Sequence, residues 1–349
     1  MLLGTTPNRT MTKHRDLTFD IGKALCIILM VVGHSGCPDY LNTSIYMFHM
    51  PCFFFMSGWL LSQRYIDDIK LGLKQKVKGI YWPFVKWTLI FVLLHNLFSV
   101  MHIYSNSYSL NTFLERMVRA FTMTGSEPLL GGFWFLISLF WASVFSLLYY
   151  RLLLKSVKLT IIHIFGGVIF SLVASASLQY LPFRIPQQFT EQTMLATAFY
   201  MTGFLFKKYL QHAIQNRIAW LLLSIPLFAA LFFRWSMQLK GALVFPYYIV
   251  AVSGTLGLLS LSFVLKKCPI RNILSYIGSK TLYILIFHFL AFRLVSYVYL
   301  SVNHLPMYYL QQSPVLRDTN QWLWLVYSIV GISFPLIVWE LIHIRLKKQ

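Results

Sequence analysis

Residues 15–62 read RDLTFDIGKALCIILMVVGHSGCPDYLNTSIYMFHMPCFFFMSGWLLS, which predicts two apolar helices joined by a turn. The first helix contains Asp20, Lys23 and His34, charged or ionisable residues that a plain membrane anchor lacks. Because a helix turns by about 100° per residue, Lys23 and His34 lie on one face, about three turns apart. An ionisable group at a helix centre costs roughly 2.5 to 3.5 kcal/mol in a membrane, so such groups normally face the interior of a bundle. We interpret this face as functional; the alternative is a polar seam that only holds helices together.

The composition of the whole chain is typical of a membrane protein. Apolar residues make up 57% of the 349 positions and charged residues only 11%. The excess of 30 Lys and Arg over 10 Asp and Glu raises the question of nucleic-acid binding. The basic residues fall in short clusters between apolar runs, however, and do not form one solvated face. We therefore expect the lipid bilayer as a partner and no nucleic acid.

The apolar runs predict an all-α polytopic membrane bundle of about ten transmembrane helices. We expect residues 1–349 to form one domain, with residues 1–19 as a cytoplasmic tail and no cleaved signal peptide, because charged residues interrupt the first apolar run. Most runs approach the ~20 residues that a bilayer requires. The predicted spans are residues 20–36, 44–61, 83–103, 132–150, 160–178, 192–206, 218–234, 245–265, 272–292 and 321–342.

The connections between these spans predict the orientation. With the N-terminus inside, alternate connections and the two termini hold 20 of the 30 basic residues, and the connections on the other side hold 7. Cytoplasmic loops carry an excess of Lys and Arg, so this asymmetry predicts that both termini are cytoplasmic.

Three histidines are predicted to share one depth in the membrane. His34 lies near the outer end of the first span, His49 near the outer start of the second, and His288 about a turn from the outer end of the ninth. No carboxylate accompanies them at that level, no His-x-x-x-His pair occurs, and the four cysteines lack metal-ligand spacing. We therefore expect no metal. Neutral imidazole can accept a proton from a hydroxyl near neutral pH, which favours a role as general base.

Lys23 and Asp20 lie deeper in the membrane, toward the cytoplasm. They can form an ion pair that offsets part of the cost of burying each charge. They can also line a passage through which an acyl group from a cytoplasmic donor reaches His34. The sequence alone leaves both interpretations open.

Two basic segments border the predicted spans, and the first of them runs into the start of the third span. The inner segment KLGLKQKVKGIYWPFVKW, residues 70–87, suits a phosphate-bearing donor through Lys74, Lys76 and Lys78, although the positive-inside rule explains it equally well. The outer segment NTFLERMVRAFTMTG, residues 111–125, predicts an interfacial or re-entrant helix with Arg116 and Arg119 one turn apart. These arginines either hold an acidic or hydroxyl-rich substrate or are simply solvated.

Several of these residues form a pattern that resembles the acyltransferase-3 family of integral-membrane bacterial sugar O-acyltransferases. The pattern continues in the Trp134 start of the fourth span and in the run from Ile277 to His288, so it covers nearly the whole chain. Family members carry a basic residue eleven positions before a histidine in the first helix. The matching residues of the first two helices are Arg15, Asp20, Lys23, Gly33, His34, Phe48, His49, Met50, Pro51, Phe53, Phe54, Phe55, Ser57 and Gly58.

The resemblance implies an activity and a location. The expected reaction moves an acyl group, usually acetyl from cytoplasmic acetyl-CoA, to a hydroxyl of a sugar or glycan at or beyond the outer face of the bacterial inner membrane. Acetyl-CoA would be a co-substrate, and we expect no permanently bound cofactor. In this scheme His34 is the base or a transient acyl carrier, and Lys23 and Asp20 order its helix face. The expected substrate-binding residues are His49, Ser57, Trp134, His288, Arg116 and Arg119, and the expected donor-binding residues are Lys74, Lys76 and Lys78.

The sequence departs from the family pattern at two places. An arginine pair is common just before the proline that opens the third span, whereas lysines in another register precede Pro83 here. The position two before Trp134, often histidine in relatives, is Gly132. The two departures leave open an inactive relative that serves as an assembly or sensory partner. The ionisable residues within the spans leave open a second alternative, a sugar or lipid-linked glycan transporter in which they relay protons.

Overall fold

The computed structural model describes residues 16–154, 159–181, 187–317 and 319–347. Every regular element within these residues is helical, so the predicted all-α fold is confirmed. The α-helices are α1 Leu17–His34, α2 Asp39–Tyr46, α3 His49–Trp59, α4 Gln63–Asp67, α5 Ile69–Lys76, α6 Trp82–Val100, α7 Leu110–Thr122, α8 Trp134–Leu154, α9 Ile161–Ser177, α10 Glu191–Tyr209, α11 Ser224–Ala229, α12 Val244–Leu265, α13 Arg271–Ser279, α14 Thr281–Val302 and α15 Leu323–Lys347.

Seven helical segments in the described part of the chain are long and apolar enough to cross a membrane. Each overlaps one of the ten predicted spans. They are Leu17–His34, Ile69–Val100, Pro128–Leu153, Ile161–Tyr180, Gly241–Leu265, Thr281–Val302 and Leu323–His343. The orientation of the termini stays a prediction.

The other three predicted spans take different forms. Residues 44–61 are divided between α2 and α3, and the 11-residue α3 rises only about 16 Å, too little to cross a ~30 Å hydrocarbon core. Pro51 explains the late start of α3, since a proline is tolerated in the first turn of a helix, where its missing N–H has no partner to lose. Residues 218–234 form a short 3-10 helix followed by the six-residue α11. Residues 192–206 lie in one helix, α10, which is 19 residues long but has charged residues near both ends.

The predicted ninth span, residues 272–292, was wrong in its limits. The chain leaves helical geometry at Lys280 (φ −114°, ψ 14°), so α13 ends at Ser279 and α14 runs from Thr281 to Val302. His288 is therefore eight residues into a 22-residue helix and not a turn from its end. A count of apolar residues passes over this break, although Gly278, Ser279, Lys280 and Thr281 interrupt the apolar pattern there.

Glycines set the closest helix crossings around α1 and α3. A Cβ atom at Gly278 of α13 would overlap the carbonyl oxygen of Asp20 in α1. A Cβ atom at Gly58 of α3 would overlap the carbonyl oxygen of Tyr200 in α10, and Gly203 meets Phe55 in the same crossing. Small residues allow this backbone approach in membrane bundles, where packing drives association. The crossings fix α1 and α3, the two helices that carry the family pattern.

A short π-helical segment, Val77–Tyr81, joins α5 to α6. Gly79 lies in its middle, and a Cβ atom there would meet nothing within 4 Å. Widened helical turns of this kind occur frequently at functional sites. Gly79 and Ile80 of this segment line one of the two cavities described below.

Candidate functional site

Four helices, α1, α2, α3 and α14, bring together the residues that we call the histidine layer: His34, Tyr46, His49 and His288. The rings of His34, in the last turn of α1, and His288, in α14, stack with centroids 5.6 Å apart. Nδ1 of His34 lies 3.2 Å from the hydroxyl of Tyr46, whose ring meets the His49 ring edge-on at 5.2 Å. The structure thus brings together the three histidines that were predicted to share one depth, and the limits predicted for the helix of His288 were wrong.

Backbone carbonyls fix the tautomers of two of the histidines. Nδ1 of His49 lies 2.7 Å from the carbonyl oxygen of Ile45, and Nδ1 of His288 lies 3.1 Å from that of Ile284. A carbonyl only accepts, so in both rings Nδ1 donates a proton and the neutral ring keeps a lone pair on Nε2. Nε2 of His288 is buried and has no hydrogen-bond partner among the described residues. Such an atom suits the hydroxyl group of a substrate.

Tyr46 orients His34 and was not predicted from the sequence. A Cβ atom at Gly33 would lie 3.1 Å from the Tyr46 ring, so the glycine makes room for the tyrosine beside His34. Asn42 holds the same turn by donating to the Gly33 carbonyl oxygen at 2.6 Å. When His34 donates its Nδ1 proton to Tyr46, its Nε2 becomes a free base. The available sequence signal was that Tyr46 lies only three residues before His49, at the end of α2 and just before α3 begins.

An apolar cavity of about 200 Å³, which we call the lysine cavity, lies among α1, α3, residues 79–80, α8 and α14. Lys23 and Ser57 are on its wall, and Ser57 donates to the Phe53 carbonyl oxygen. The wall also includes Met30 and Leu285, which precede His34 and His288 by about one helical turn. His34 itself is not among the described residues that line it. The lysine cavity therefore ends about one turn from the histidine layer.

Asp20 and Lys23 form the ion pair that was one of the two interpretations of their spacing. Nζ of Lys23 lies 3.4 Å from Oδ1 of Asp20, whose side chain is 3% exposed, against 28% for Lys23. Asp20 is therefore enclosed by protein, whereas Lys23 reaches the cavity. The ion pair and the proposed acyl passage are compatible, because Lys23 both pairs with Asp20 and lines the lysine cavity.

The three donor-binding lysines predicted on the inner segment do not lie together. Nζ of Lys76 points into the bundle and donates to the Tyr200 hydroxyl at 3.0 Å, while Lys74 and Lys78 are exposed. Gly79 and Ile80, which directly follow Lys78 in the chain, line the lysine cavity, whereas none of the three lysines does.

A second cavity, of about 420 Å³, lies on the other face of α8, and we call it the tryptophan cavity. Phe135, Leu136 and Leu139 face the lysine cavity, whereas Trp134, Ile137 and Ser138 face the tryptophan cavity. The remaining wall comes from the start of α10 and from residues 237–240. Trp134 is thus placed at a cavity, as its predicted substrate role requires.

Arg116 and Arg119 lie outside the lining of both cavities. Arg119 pairs with Glu115 on the surface of α7, with Nη2 2.6 Å from Oε1 and both side chains about half exposed. The Arg116 guanidinium lies over the Tyr108 ring, 5.5 Å from its centroid. Of the two alternatives predicted for these arginines, Arg119 fits the solvated one, whereas Arg116 packs on the Tyr108 ring.

A second buried histidine cluster, which the sequence analysis missed, lies beside the segment that leads into α8. Nδ1 of His95 is 2.7 Å from Oε2 of Glu127, and its Nε2 is 3.1 Å from the Asn106 carbonyl oxygen. The Tyr108 ring stacks on His95 at 3.3 Å, and its hydroxyl donates to Glu127. Burial, with the nearby Glu127 carboxylate, raises the pKa of Tyr108, so it stays a neutral donor. We call these four residues the Glu127 cluster.

Comparison with known proteins identifies a family. A sequence model of the family described as an acyltransferase domain, acyltransferase-3, matches residues 16–340. The nodulation protein NolL of Mesorhizobium japonicum is 27% identical over 245 residues, which cover 65% of this chain and 58% of that protein. No solved structure matches significantly.

Two shorter matches agree. The inner membrane protein YcfT of Escherichia coli is 33% identical over 92 residues, 20% of this chain and 26% of YcfT. NolL of Sinorhizobium fredii is 45% identical over 60 residues, 14% of this chain and 16% of that protein. The chain thus spans less than two thirds of the length of each of these relatives.

Proposed function

Because the chain belongs to the acyltransferase-3 family, we propose that this multi-pass membrane protein is an O-acyltransferase of the bacterial inner membrane. It would move an acetyl group from cytoplasmic acetyl-CoA to a hydroxyl of a sugar or cell-envelope glycan. One observation carries the proposal: the stacked pair of His34 and His288 lies about one helical turn beyond the end of a cavity lined by Lys23.

The lysine cavity is the proposed route of the donor. The distribution of Lys and Arg favours a cytoplasmic position for the Leu17 end of α1, so Lys23 lies toward the donor side and His34 toward the acceptor side. The apolar walls suit the acyl chain and its thioester arm, and the Lys23 ammonium suits a phosphate. Gly79 and Ile80, at the cytoplasmic end of α6, would border the entrance.

In the proposed step, Nε2 of His34 takes the proton of the acceptor hydroxyl as its oxygen attacks the thioester carbonyl carbon. The carbon–oxygen bond forms, the carbon–sulfur bond breaks, and the CoA thiolate leaves. His34 then gives the proton to this thiolate, so the products are the ester and free CoA, and the histidine is neutral again. The Tyr46 hydroxyl oxygen accepts a hydrogen bond from Nδ1–H of His34 and so holds the ring in the reactive tautomer, and Nε2 of His288 accepts a hydrogen bond from a second hydroxyl of the acceptor. General base catalysis of this kind contributes roughly 10²- to 10⁴-fold.

The test is acetyl transfer by the purified protein in lipid nanodiscs. With radiolabelled acetyl-CoA and a sugar acceptor, label should move to the sugar, and His34→Ala should lower the rate by about 10³-fold. His212→Ala is the matched control, because His212 is exposed and makes no hydrogen bond to any described residue.

Two results would contradict the proposal. One is His34→Ala transferring acetyl at the wild-type rate with normal expression. The other is movement of sugar across a proteoliposome membrane without CoA and without acetylation, which is the behaviour of a transporter.

A further inference from the structure

We infer that the tryptophan cavity is the acceptor site and that it takes the ring of a neutral sugar. This inference rests on the proposed function, since it names the acceptor class of the same reaction. It is carried by the residues that share the cavity wall, by their charges and by the distance from the cavity to the histidine layer.

The cavity wall combines an aromatic face with hydrogen-bonding side chains. Trp134 is partly exposed at its edge, and Ser138, Gln192 and Gln238 lie around it. None of those three polar side chains makes a hydrogen bond to a described residue, so each is available to a ligand. A sugar ring presents C–H groups on its faces and hydroxyls around its edge, which match an indole face surrounded by amides and a hydroxyl. The volume of about 420 Å³ is within the roughly 300 to 1,000 Å³ of small-molecule sites.

The charges on the wall indicate a neutral ligand. The cavity has one carboxylate, Glu191, and one ammonium, Lys240, and neither forms an ion pair with any residue that the structure describes. Opposite charges of equal number leave the wall with no net charge that would favour an anionic or a cationic sugar. The Glu191 carboxylate can accept a hydrogen bond from a sugar hydroxyl and the Lys240 ammonium can donate one, and a hydrogen bond with a charged partner is stronger than one between neutral groups.

The cavity is close to the reacting groups. Trp134 follows Gly132 by two residues, which span at most about 7 Å of extended chain. A Cβ atom at Gly132 would lie 3.9 Å from Cε1 of His288 and would press on Leu285 at 2.7 Å. The glycine therefore lets the segment before α8 approach the histidine layer. The lysine cavity and the tryptophan cavity lie on opposite faces of the first turns of α8, so donor and acceptor would approach from two sides.

The experiment measures sugar binding directly, by saturation-transfer NMR on the protein in nanodiscs. The probes are methyl β-D-glucopyranoside, glucuronate and glucosamine. We expect the neutral glucoside to bind best and Trp134→Leu to weaken its binding at least tenfold. The matched control is Trp322→Leu, because Trp322 is 61% exposed and lies outside the lining of the cavity. Equal binding by both variants would overturn the inference.

The charged groups give an independent readout. Glu191→Gln alone should leave a net positive wall and shift the preference toward glucuronate, and Lys240→Met alone should shift it toward glucosamine. An unchanged preference in both variants would also overturn the inference.

Failure of the inference and failure of the proposed function are distinguishable. If wild type transfers acetyl and Trp134→Leu does so with an unchanged KM for the glucoside, the acceptor binds elsewhere and only the inference fails. If the glucoside binds at Trp134 but no acetyl is transferred, the sugar site stands and the proposed reaction fails.

Discussion

Two buried histidine clusters in this protein differ in how far their ring nitrogens are occupied. Both nitrogens of His95 are bound, to Glu127 and to the Asn106 carbonyl oxygen, and tyrosine rings stack on it. In the histidine layer, Nδ1 of His49 and His288 is bound to backbone, whereas Nε2 of His288 is buried without a partner among the described residues. A saturated ring has no capacity for a substrate, so the first cluster serves the fold and the second is suited to chemistry.

The contrast also explains why burial alone does not identify a site. His95 is as buried as His49, at 2% exposed. The distinguishing observation is an unused acceptor about one helical turn from a cavity, which hydrogen-bond geometry reveals and residue identity does not. The predictions below separate the two roles.

Among the changes that leave His34 in place, filling the lysine cavity should have the largest effect. Gly79→Leu places a side chain where a Cβ atom meets nothing within 4 Å, so the fold should tolerate it while the donor route narrows. We expect acetyl transfer to fall by about 100-fold, as for other displacements of a reacting group. Gly166→Leu is the control, since its Cβ atom would have only the Tyr149 hydroxyl nearby, at 3.8 Å. Equal rates in both variants would remove the lysine cavity from the donor route.

Breaking the Glu127 cluster should affect stability. Glu127→Ala leaves His95 buried without its partner. Breaking a buried pair in this way lowers the free energy of unfolding by about 3 to 5 kcal/mol. Glu115→Ala breaks the exposed pair with Arg119 and should cost only about 0.2 to 1 kcal/mol. Thermal unfolding in detergent compares the two. Similar midpoints would mean that the Glu127 cluster does not stabilise the fold.

Removing the hydroxyl of Tyr46 should have the smallest effect. Tyr46→Phe keeps the ring that packs on Gly33 but removes the oxygen 3.2 Å from His34. Loss of one hydrogen bond of roughly 1 kcal/mol should lower kcat by about five- to tenfold and leave the KM for acetyl-CoA unchanged. A changed KM with an unchanged kcat would assign Tyr46 to donor binding instead of orientation of the base.

Much of this arrangement was accessible from the sequence, because it depends on local periodicity. Lys23 and His34 share a face by helical geometry, and the apolar runs locate seven of the spans. Pro51 and Lys280 mark breaks that an apolar count passes over, although the proline was a visible signal of a helix start.

The remaining features depend on contacts between distant segments. Tyr46 faces His34 because the chain turns back after Gly36, and Glu127 reaches His95 across 32 positions. The two cavities exist only once α8 is placed between them. Sequence periodicity describes one helix at a time and contains no information on these pairings.

The central claim is tested most directly by comparing His34→Gln with His95→Gln in one preparation, with acetyl transfer and the thermal midpoint measured on each. His34→Gln should lose about 10³-fold in transfer and keep the wild-type midpoint. His95→Gln should lower the midpoint and keep most of its turnover per folded molecule. Acetyl transfer at the wild-type rate by His34→Gln would contradict the account. So would a His95→Gln variant that keeps the wild-type thermal midpoint but loses acetyl transfer.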